Sequence, residues 1–557
     1  MDILIYVGIF LGLVVFFAYQ SYLSKKRLKE ELQNKLNKDW GAMSDRTYKA
    51  GELDKIKKYF NIKDMKSCID DITWNDMGMD EVFKTVNHTW SSIGEDCLYA
   101  RLRNMEYSNE ELLFFDEIVD KLEKNPEIAK KTQESFIELG KTKSVCIFEF
   151  ISQLAGLPSK KNTEHMVRCV LLLVSLGLLF VQPIIGIAAL VIMVSTNVIR
   201  YYKVKKDIDD YFTCFSYLIH MIISSKNVIK NASDISPEIA DELNEIYSDV
   251  ASMTKGVFLI AGNNMSGSIA DSLMEYLRML CHVDIMKFNS MLKAIHNHKG
   301  KLERMYELIG MLESACAVAS YRTYLKNVYG TYCKPQFDNS VCIKGEELYH
   351  PLLKEPVRNT IEENKSVLLT GSNASGKSTF LKTIGINAIL AQTIYTCSGY
   401  TFAMDRCKVY SSMSLKDDLL KGESYYMVEI KALKRIIDAA NRGEKIICFV
   451  DEVLRGTNTV ERVSASTEIL NHFATMYNGK VLCFAATHDI ELTHLLENEY
   501  SNYHFEEEVV NEDVIFNYQL NKGRATSRNA IQLLKVMGYD DRIIEKARAR
   551  ADKLLNY

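Results

Sequence analysis

Two long stretches of the chain lack charged residues and have the length of membrane segments. Residues 3–23 are uncharged, and 21 residues at 1.5 Å each make a helix of about 31 Å, close to the hydrocarbon thickness of a bilayer. Lys25, Lys26, Arg27 and Lys29 follow at once, so we predict an N-terminal transmembrane anchor over residues 1–23 whose basic flank is cytoplasmic. A cleaved signal peptide is disfavoured because the chain opens Met1-Asp2, without a basic region.

The second uncharged stretch is residues 169–199, too long for one crossing at about 46 Å. Gln182 and Pro183 lie near its middle, and lysines and arginines flank both ends. We therefore predict a transmembrane helical hairpin over residues 164–202 that turns at Gln182-Pro183 and has both ends in the cytoplasm. Each arm would be about 23 Å long, which is short for a crossing, so a shallow re-entrant hairpin is an alternative. A buried hairpin of a soluble protein is a second alternative.

The sequence on both sides of the hairpin is predicted to be helical. Residues 24–45 form a charged linker, and apolar positions then recur at intervals of three and four over residues 46–163. Residues 203–333 repeat that pattern, most clearly over residues 302–325. We expect a helical core-like domain before the hairpin and a helical lever-like domain after it.

The last part of the chain has a different pattern. Short β-branched runs at residues 366–370, 446–450 and 481–486 are separated by helical sequence. Strands that alternate with helices indicate a mainly parallel sheet. Residues 334–557 are therefore predicted to be an α/β domain.

Composition narrows the functional classes. The chain of 557 residues is long enough for about three to five units. Its net charge is 68 − 72 = −4, without the strong positive balance of a dedicated nucleic-acid binder. The 13 cysteines form no C-x-x-C pair, which argues against zinc and favours reduced thiols.

A phosphate-binding loop is predicted at residues 371–378, which fit G-x-x-x-x-G-K-[ST] between a predicted strand and a predicted helix. Backbone N–H groups and the helix N-terminus would face the phosphates. Lys377 should reach the β- and γ-phosphates, and the Ser378 hydroxyl should ligate Mg²⁺. The predicted nucleotide-binding residues are Gly371, Ser372, Asn373, Ala374, Ser375, Gly376, Lys377, Ser378 and Thr379.

Two later strands end in candidate catalytic residues. Asp451 and Glu452 close an apolar run, where Asp451 would hold Mg²⁺ through water and Glu452 would polarise the attacking water. His488 follows the next strand, at the edge where open α/β sheets bind ligands. It could sense the γ-phosphate or be a structural histidine.

These motifs together resemble the ATPase domain of the MutS family, a branch of the ABC-type P-loop ATPases. The loop is similar to the family's G-P-N-x-G-G-K-S-T, with Ser372 in place of proline and Ser375 in place of glycine. The other matching segments are residues 349–353, 357–359, 422–429, 451–459, 486–488 and 516–523.

The resemblance implies an ATP hydrolase that uses Mg²⁺ and works as a homodimer. Two nucleotides would lie between the subunits, with Ser424 of one subunit acting on the other's γ-phosphate. Tyr518 lies where the family places a side chain near the adenine, although a core tyrosine is an equal alternative. The chain has no room for the family's mismatch-recognition domain. We therefore expect a member that lacks that domain and is anchored in a membrane.

Three functions remain open at this point. The first is a multi-pass membrane protein whose ATPase and helical domains face the cytoplasm and whose ATP cycle handles DNA, either mismatched or branched. The second is an ATP-driven membrane mechanoenzyme or scaffold that acts on an unidentified protein partner without binding DNA. A transporter is disfavoured because three spans per chain are few and no intramembrane charge is present.

Overall fold

The structure is a computed structural model of the 557-residue chain. It describes residues 16, 19–20, 23–24, 26–28, 30–63, 65, 68–142, 146–158, 160–256, 269–338, 342–372, 375–413, 425–454, 458–477, 479–510, 513–525, 531, 534 and 538–555. The predicted anchor at residues 1–23 lies almost entirely outside this set.

The first part of the chain is helical, as predicted, and residues 30–39 are also helix. Its later helices are α1 Glu52–Lys63, α2 Asp71–Asp76, α3 Met79–Val86, α4 Ser92–Arg103, α5 Asn109–Lys124, α6 Pro126–Leu139, α7 Ile147–Gly156, α8 Thr163–Val181, α9 Pro183–Ala232, α10 Pro237–Val250, α11 Ile269–Cys281 and α12 Val283–Tyr329, with a 3₁₀ turn at Ala251–Thr254.

The 47-residue helix α12 organises the helical body and packs against α4, α5 and α7. Its contact with α4 is close because both helices carry a glycine there. A Cβ on Gly310 would lie 2.2 Å from the Cys97 sulfur, and a Cβ on Gly94 would lie 2.3 Å from the Glu313 carboxyl group. The helix is kinked at His298, whose backbone is not helical.

The helices α8 and α9 form the predicted hairpin. They meet at Gln182, and a Cβ on Gly186 would lie 2.6 Å from the Leu179 backbone nitrogen, so the arms are in contact at the turn. Both helices extend beyond the uncharged run: α8 has 19 residues, about 28 Å, and α9 runs for 50 residues into the body. Among the described residues, these two helices are long and apolar enough to cross a membrane, and 17% of each apolar window is buried.

The C-terminal domain contains two sheets. The main sheet has the order β10-β9-β4-β8-β7-β6 and is parallel except for the β9–β10 pair, as the strand–helix alternation predicted. A smaller mixed sheet, β1-β5-β2-β3, was not predicted. The strands are β1 Pro335–Phe337, β2 Ile343–Leu348, β3 Asn359–Glu363, β4 Ser366–Thr370, β5 Thr401–Met404, β6 Lys408–Ser412, β7 Ile446–Asp451, β8 Val481–Ala486, β9 Tyr500–Val510 and β10 Asp513–Lys522.

Helices cover the main sheet and bring three strand ends together. They are α13 Lys377–Ile394, α14 Tyr425–Asn441, α15 Thr459–Thr475, α16 Ile490–Leu495 and α17 Asp541–Leu555. The strands β4 and β8 are buried along their whole length, which explains their continuous apolar sequence. Ala486 pairs with both Leu369 and Asp451, so the ends of β4, β8 and β7 lie side by side.

Candidate nucleotide-binding site

The phosphate loop links β4 to α13 and has glycine where the backbone requires it. Gly371 has φ +145° and Gly376 has φ +107°. A Cβ on Gly371 would also lie 2.9 Å from the carbonyl oxygen of Phe505. A side chain at either position would therefore strain the loop. Asn373 and Ala374, two of the predicted binding residues, lie outside the described residues.

Polar side chains of the loop converge on its interior. The Lys377 ammonium donates hydrogen bonds of 2.8 Å to the carbonyl oxygens of Gly371 and Ser372. The buried Ser375 hydroxyl has no hydrogen-bond partner among the described residues. The Ser372 hydroxyl donates to Glu507 at 2.8 Å, a contact that no sequence motif indicated. The ammonium and the unpaired hydroxyl are both donors that a phosphate oxygen could use.

The predicted magnesium ligands are adjacent. The Ser378 hydroxyl donates to the Asp451 carboxylate at 2.5 Å. A hydroxyl and a carboxylate are hard oxygen ligands, and Mg²⁺ usually takes one or two of these beside water and phosphate oxygens. Within the described chain, no group of three or more His, Cys, Asp or Glu side chains could hold a metal ion. The donor set therefore fits Mg²⁺ bound together with a nucleotide.

The predicted catalytic pair is also in contact. His488 Nε2 lies 2.8 Å from Glu452 Oε1. Glu452 has φ +55°, and its backbone N–H donates to the Ala486 carbonyl oxygen at 2.8 Å. The neighbour of His488, Asp489, accepts two hydrogen bonds from Arg462, at 2.6 and 3.0 Å. Both members of the pair are thus held by surrounding contacts, and in this structure His488 contacts Glu452.

A cavity of about 550 Å³ lies over the loop, and the predicted Tyr518 is on its wall. The Tyr518 side chain is 43% exposed, and its ring stacks on Phe516 with centroids 6.0 Å apart. A half-exposed ring on a cavity wall favours a ligand contact over the core alternative. The lining residues are Leu348, His350, Leu353, Glu355, Pro356, Val357, Asn359, Ser372, Ser375, Gly376, Lys377, Ser378, Thr379, Phe380, Thr383, Asp451, Glu452, Phe505 and Tyr518.

Several wall residues were not predicted as site residues. His350, Val357 and Asn359 belong to segments that the family resemblance had matched, so a signal was present. Leu353 also ends one of those segments, whereas Phe505 belongs to none of them. Asn359 fixes the wall opposite the loop, because its amide donates to the Tyr518 carbonyl oxygen at 3.0 Å and accepts from the Leu520 N–H at 2.7 Å.

His350 is a neutral member of the wall. Burial, with the nearby Lys382 cation, lowers the pKa of His350 to about 4. Its Nδ1 accepts a hydrogen bond from the Leu352 N–H at 3.3 Å, which leaves Nε2 as the protonated nitrogen. The imidazole is therefore a hydrogen-bond donor without a positive charge at neutral pH.

The family-matching segment at residues 422–429, which contains Ser424, is described from Tyr425 onward. Glu429, its last residue, is buried and accepts a hydrogen bond from the Leu454 N–H at 2.5 Å. This bond joins α14 to the loop that follows Asp451 and Glu452. Ser424, the residue predicted to act on the partner's nucleotide, lies outside the described residues.

Comparison with known protein families identifies this domain. Residues 367–555 match MutS domain V. The chain is 31% identical over 272 residues to MutS protein homolog 4 of Mus musculus, covering 46% of this chain and 27% of that protein. It is 25% identical over 282 residues to the DNA mismatch repair protein MutS of Clostridium botulinum (strain Hall), covering 48% of this chain and 30% of the relative.

The matched region contains the phosphate loop, Asp451, Glu452, His488 and Tyr518. The match supports a P-loop ATPase domain of the MutS type over residues 367–555, in line with the prediction from the sequence motifs. The chain spans roughly 30% of the length of these curated relatives. The match therefore supports the MutS resemblance for the C-terminal domain and leaves the remaining chain to be interpreted from its own structure.

Proposed function

We propose that this protein is a MutS-type ATPase held at a membrane, which closes as a homodimer on ATP and engages DNA. One observation carries the proposal. The phosphate loop, the Ser378–Asp451 pair and Glu452 line a single cavity in a domain that matches MutS domain V, and His488 contacts Glu452.

We assign a separate role to each site residue in the transfer of the γ-phosphoryl group to water. Lys377 offsets charge on the β- and γ-phosphates, and Ser378 and Asp451 hold Mg²⁺, which when bound neutralises developing phosphate charge. The Glu452 carboxylate accepts the proton of the attacking water. His488, hydrogen-bonded to Glu452, keeps that carboxylate oriented toward the cavity.

Dimerisation follows from the number of ATP sites per chain. The sequence contains one phosphate loop, so a two-nucleotide sandwich needs a second copy. In that arrangement Ser424 of each copy would donate to the γ-phosphate bound by the other. Residues 422–429 support this, because they resemble the family signature and lead into α14, which is tied to the Glu452 loop through Glu429.

DNA is the proposed substrate because relatives are named DNA mismatch repair protein MutS. The test uses Glu452→Gln, which should bind ATP without hydrolysing it. The full-length variant is titrated against labelled homoduplex, mismatched and branched DNA, with and without ATP, over a range of salt concentrations. We expect ATP-dependent, structure-selective binding that weakens steeply with salt. An absence of binding at low salt, in protein shown to bind ATP, would contradict the DNA proposal.

The exposed hairpin favours a second candidate, an ATP-driven membrane mechanoenzyme that acts on a protein partner. Phe180 and Ile184 at its tip are 90% and 86% exposed, an arrangement that a water-soluble DNA clamp does not need. If this candidate is correct, the protein should not bind DNA, and its ATPase rate should depend on the presence of a membrane. The same titration, followed by ATPase assays with and without vesicles, separates the two.

A further inference from the structure

We infer that the α8–α9 hairpin is a one-sided membrane wedge, which enters the bilayer from the cytoplasmic face and ends inside the hydrocarbon. Basic residues at its base would contact anionic phospholipid headgroups. This inference rests on the membrane attachment in the proposed function, and it specifies the depth and the lipid partner.

The tip of the hairpin has no group suited to the far headgroup layer. Phe180, Val181 and Ile184 are 90%, 76% and 86% exposed, and Gln182 is the only strongly polar side chain at the turn. Crossing segments usually place charged or aromatic amphipathic residues at both surfaces of the membrane. A tip made of Phe, Val and Ile fits the hydrocarbon.

The base of the hairpin is marked by an ion-pair cluster. Glu164 on α8 accepts hydrogen bonds from Arg200 on α9, at 2.8 and 2.9 Å, and from Arg168 at 3.2 Å. Glu164 and Arg200 are 36 residues apart in sequence, so this contact places the two arm bases at one level. Charges are disfavoured in the hydrocarbon, and the cluster therefore marks the headgroup level.

From this level, the arms are too short to cross. Residues 169–181 number 13, which is about 20 Å of helix, and residues 183–199 number 17, which is about 25 Å. The hydrocarbon core is about 30 Å thick. The tip therefore passes the midplane and stops before the opposite headgroups.

A buried polar contact prevents the hairpin from sliding deeper. Asn197 is fully buried, its side-chain amide donates to the Leu280 carbonyl oxygen at 2.9 Å, and its backbone carbonyl oxygen lies 3.0 Å from His282 Nε2. His282 also contacts His165 of the other arm, Nδ1 to Nδ1 at 2.9 Å. Both arms are thereby fixed to the start of α12, and α12 belongs to the helical body outside the membrane.

Exposed lysines and aromatic residues surround this base. Tyr202 is 56% exposed, and its hydroxyl contacts the Met279 sulfur of α11 at 3.3 Å, a position typical of the membrane interface. The exposed lysines nearby are Lys160, Lys161, Lys203 and Lys206, and none has an ion-pair partner among the described residues. Unpaired lysines next to an inserted segment attract anionic lipids, by about fivefold in partitioning for each lysine.

The test measures the depth of the tip in the full-length protein. Phe180→Trp and the matched base variant Tyr202→Trp are mixed with vesicles of phosphatidylcholine and phosphatidylglycerol brominated at shallow or deep acyl positions. The wild-type signal from the three native tryptophans is subtracted. We expect the tip tryptophan to be quenched most by deep bromines and the base tryptophan by shallow ones.

The other outcomes separate this inference from the proposed function. Strongest quenching of the tip by shallow bromines would place the tip at a headgroup layer, which overturns the wedge and keeps the membrane attachment. Absence of quenching at both positions, in protein that still binds ATP, would overturn both. Blue-shifted tip emission without quenching would assign the hairpin to a protein interface instead, such as a second copy of the chain.

A separate experiment tests the contact with the lipid headgroups. Lys203→Gln combined with Lys206→Gln should lower partitioning to the anionic vesicles by about 25-fold and leave partitioning to pure phosphatidylcholine unchanged. Equal partitioning of variant and wild type to the anionic vesicles would overturn the headgroup contact.

Discussion

The sharpest prediction concerns the Glu452–His488 pair. Glu452→Gln keeps the shape of the side chain and removes its ability to accept a proton. General-base catalysis contributes about 10²–10⁴ in rate, which is about 2.7–5.4 kcal/mol of barrier. The positive φ and the backbone bond to Ala486 hold residue 452 in place, so the amide should occupy the same position. We expect kcat to fall by that factor while ATP affinity changes less than about threefold.

The second variant, His488→Ala, should act through Glu452. His488 Nε2 lies 2.8 Å from the Glu452 carboxylate, so the imidazole is assigned to positioning the base. Without the imidazole, the Glu452 carboxylate should be less well oriented, and kcat should fall by about 10–10², less than when the base itself is removed. In the Glu452→Gln background, the same change should cost less than about threefold, a coupling of roughly 1–2 kcal/mol between the two residues.

The assay is phosphate release at saturating ATP, with ATP binding measured separately by a fluorescent nucleotide. Glu468→Gln provides the matched control, because Glu468 is an exposed carboxylate on α15 and its loss makes the same charge change. We expect this control to have wild-type kcat. If His488→Ala again lowers kcat by about 10–10² in the Glu452→Gln background, the two residues act independently. That result would refute the positioning role and favour the γ-phosphate sensor predicted from the sequence.

Three further predictions concern the frame of the site. Arg322→Met removes the buried ion pair between Arg322 and Asp116 and should lower the free energy of unfolding, measured in urea, by about 3 kcal/mol. This loss is at the low end for a broken buried ion pair because Asp116 keeps its contact with Lys334. Because the folded-state pKa of His350 is about 4, the unfolded chain binds that proton first as pH falls below about 6.5. The free energy of unfolding should therefore decrease by up to about 3 kcal/mol as the pH falls from 6.5 to 4. His350→Gln should reduce the dependence of the thermal unfolding temperature on pH over this range. Gly376→Ala, at φ +107° and with a Cβ 3.2 Å from the Tyr518 ring, should weaken nucleotide binding by about 5–30-fold in the same fluorescence titration.

The centre of the candidate site could be predicted because it is locally encoded. A strand buried on both faces requires a continuous apolar run, and β4, β7 and β8 each have one. The residues directly after those runs must lie at the same sheet edge. The closeness of the phosphate loop to Asp451 and of Glu452 to His488 therefore follows from the order of apolar runs along the chain.

The cavity wall could not be derived in the same way. Leu353 and Phe505 are far apart in sequence and both line the cavity, and Phe505 is brought there by the pairing of β9 with β4. The small sheet depends on similar long-range pairing, of β2 with β5 and of β1 with β5. The length of α9 could not be predicted either, because that helix continues past the uncharged run and has 50 residues. Glu164, Arg168 and Arg200 lie within the two helices and pair with one another.

The helix α12 physically joins the nucleotide cavity to the hairpin. At its end, the Tyr329 hydroxyl donates to the carbonyl oxygens of Pro351 and Leu353, at 3.0 and 2.8 Å, and Leu353 lines the cavity. At its start, about 70 Å away along the helix, His282 contacts both hairpin arms. A displacement of the cavity wall can therefore move α12 as a rigid element as far as His298, where the backbone is not helical. The part of this motion that reaches the hairpin depends on the stiffness of the backbone at His298, and the α12 residues on each side of that kink are packed into the core of the body.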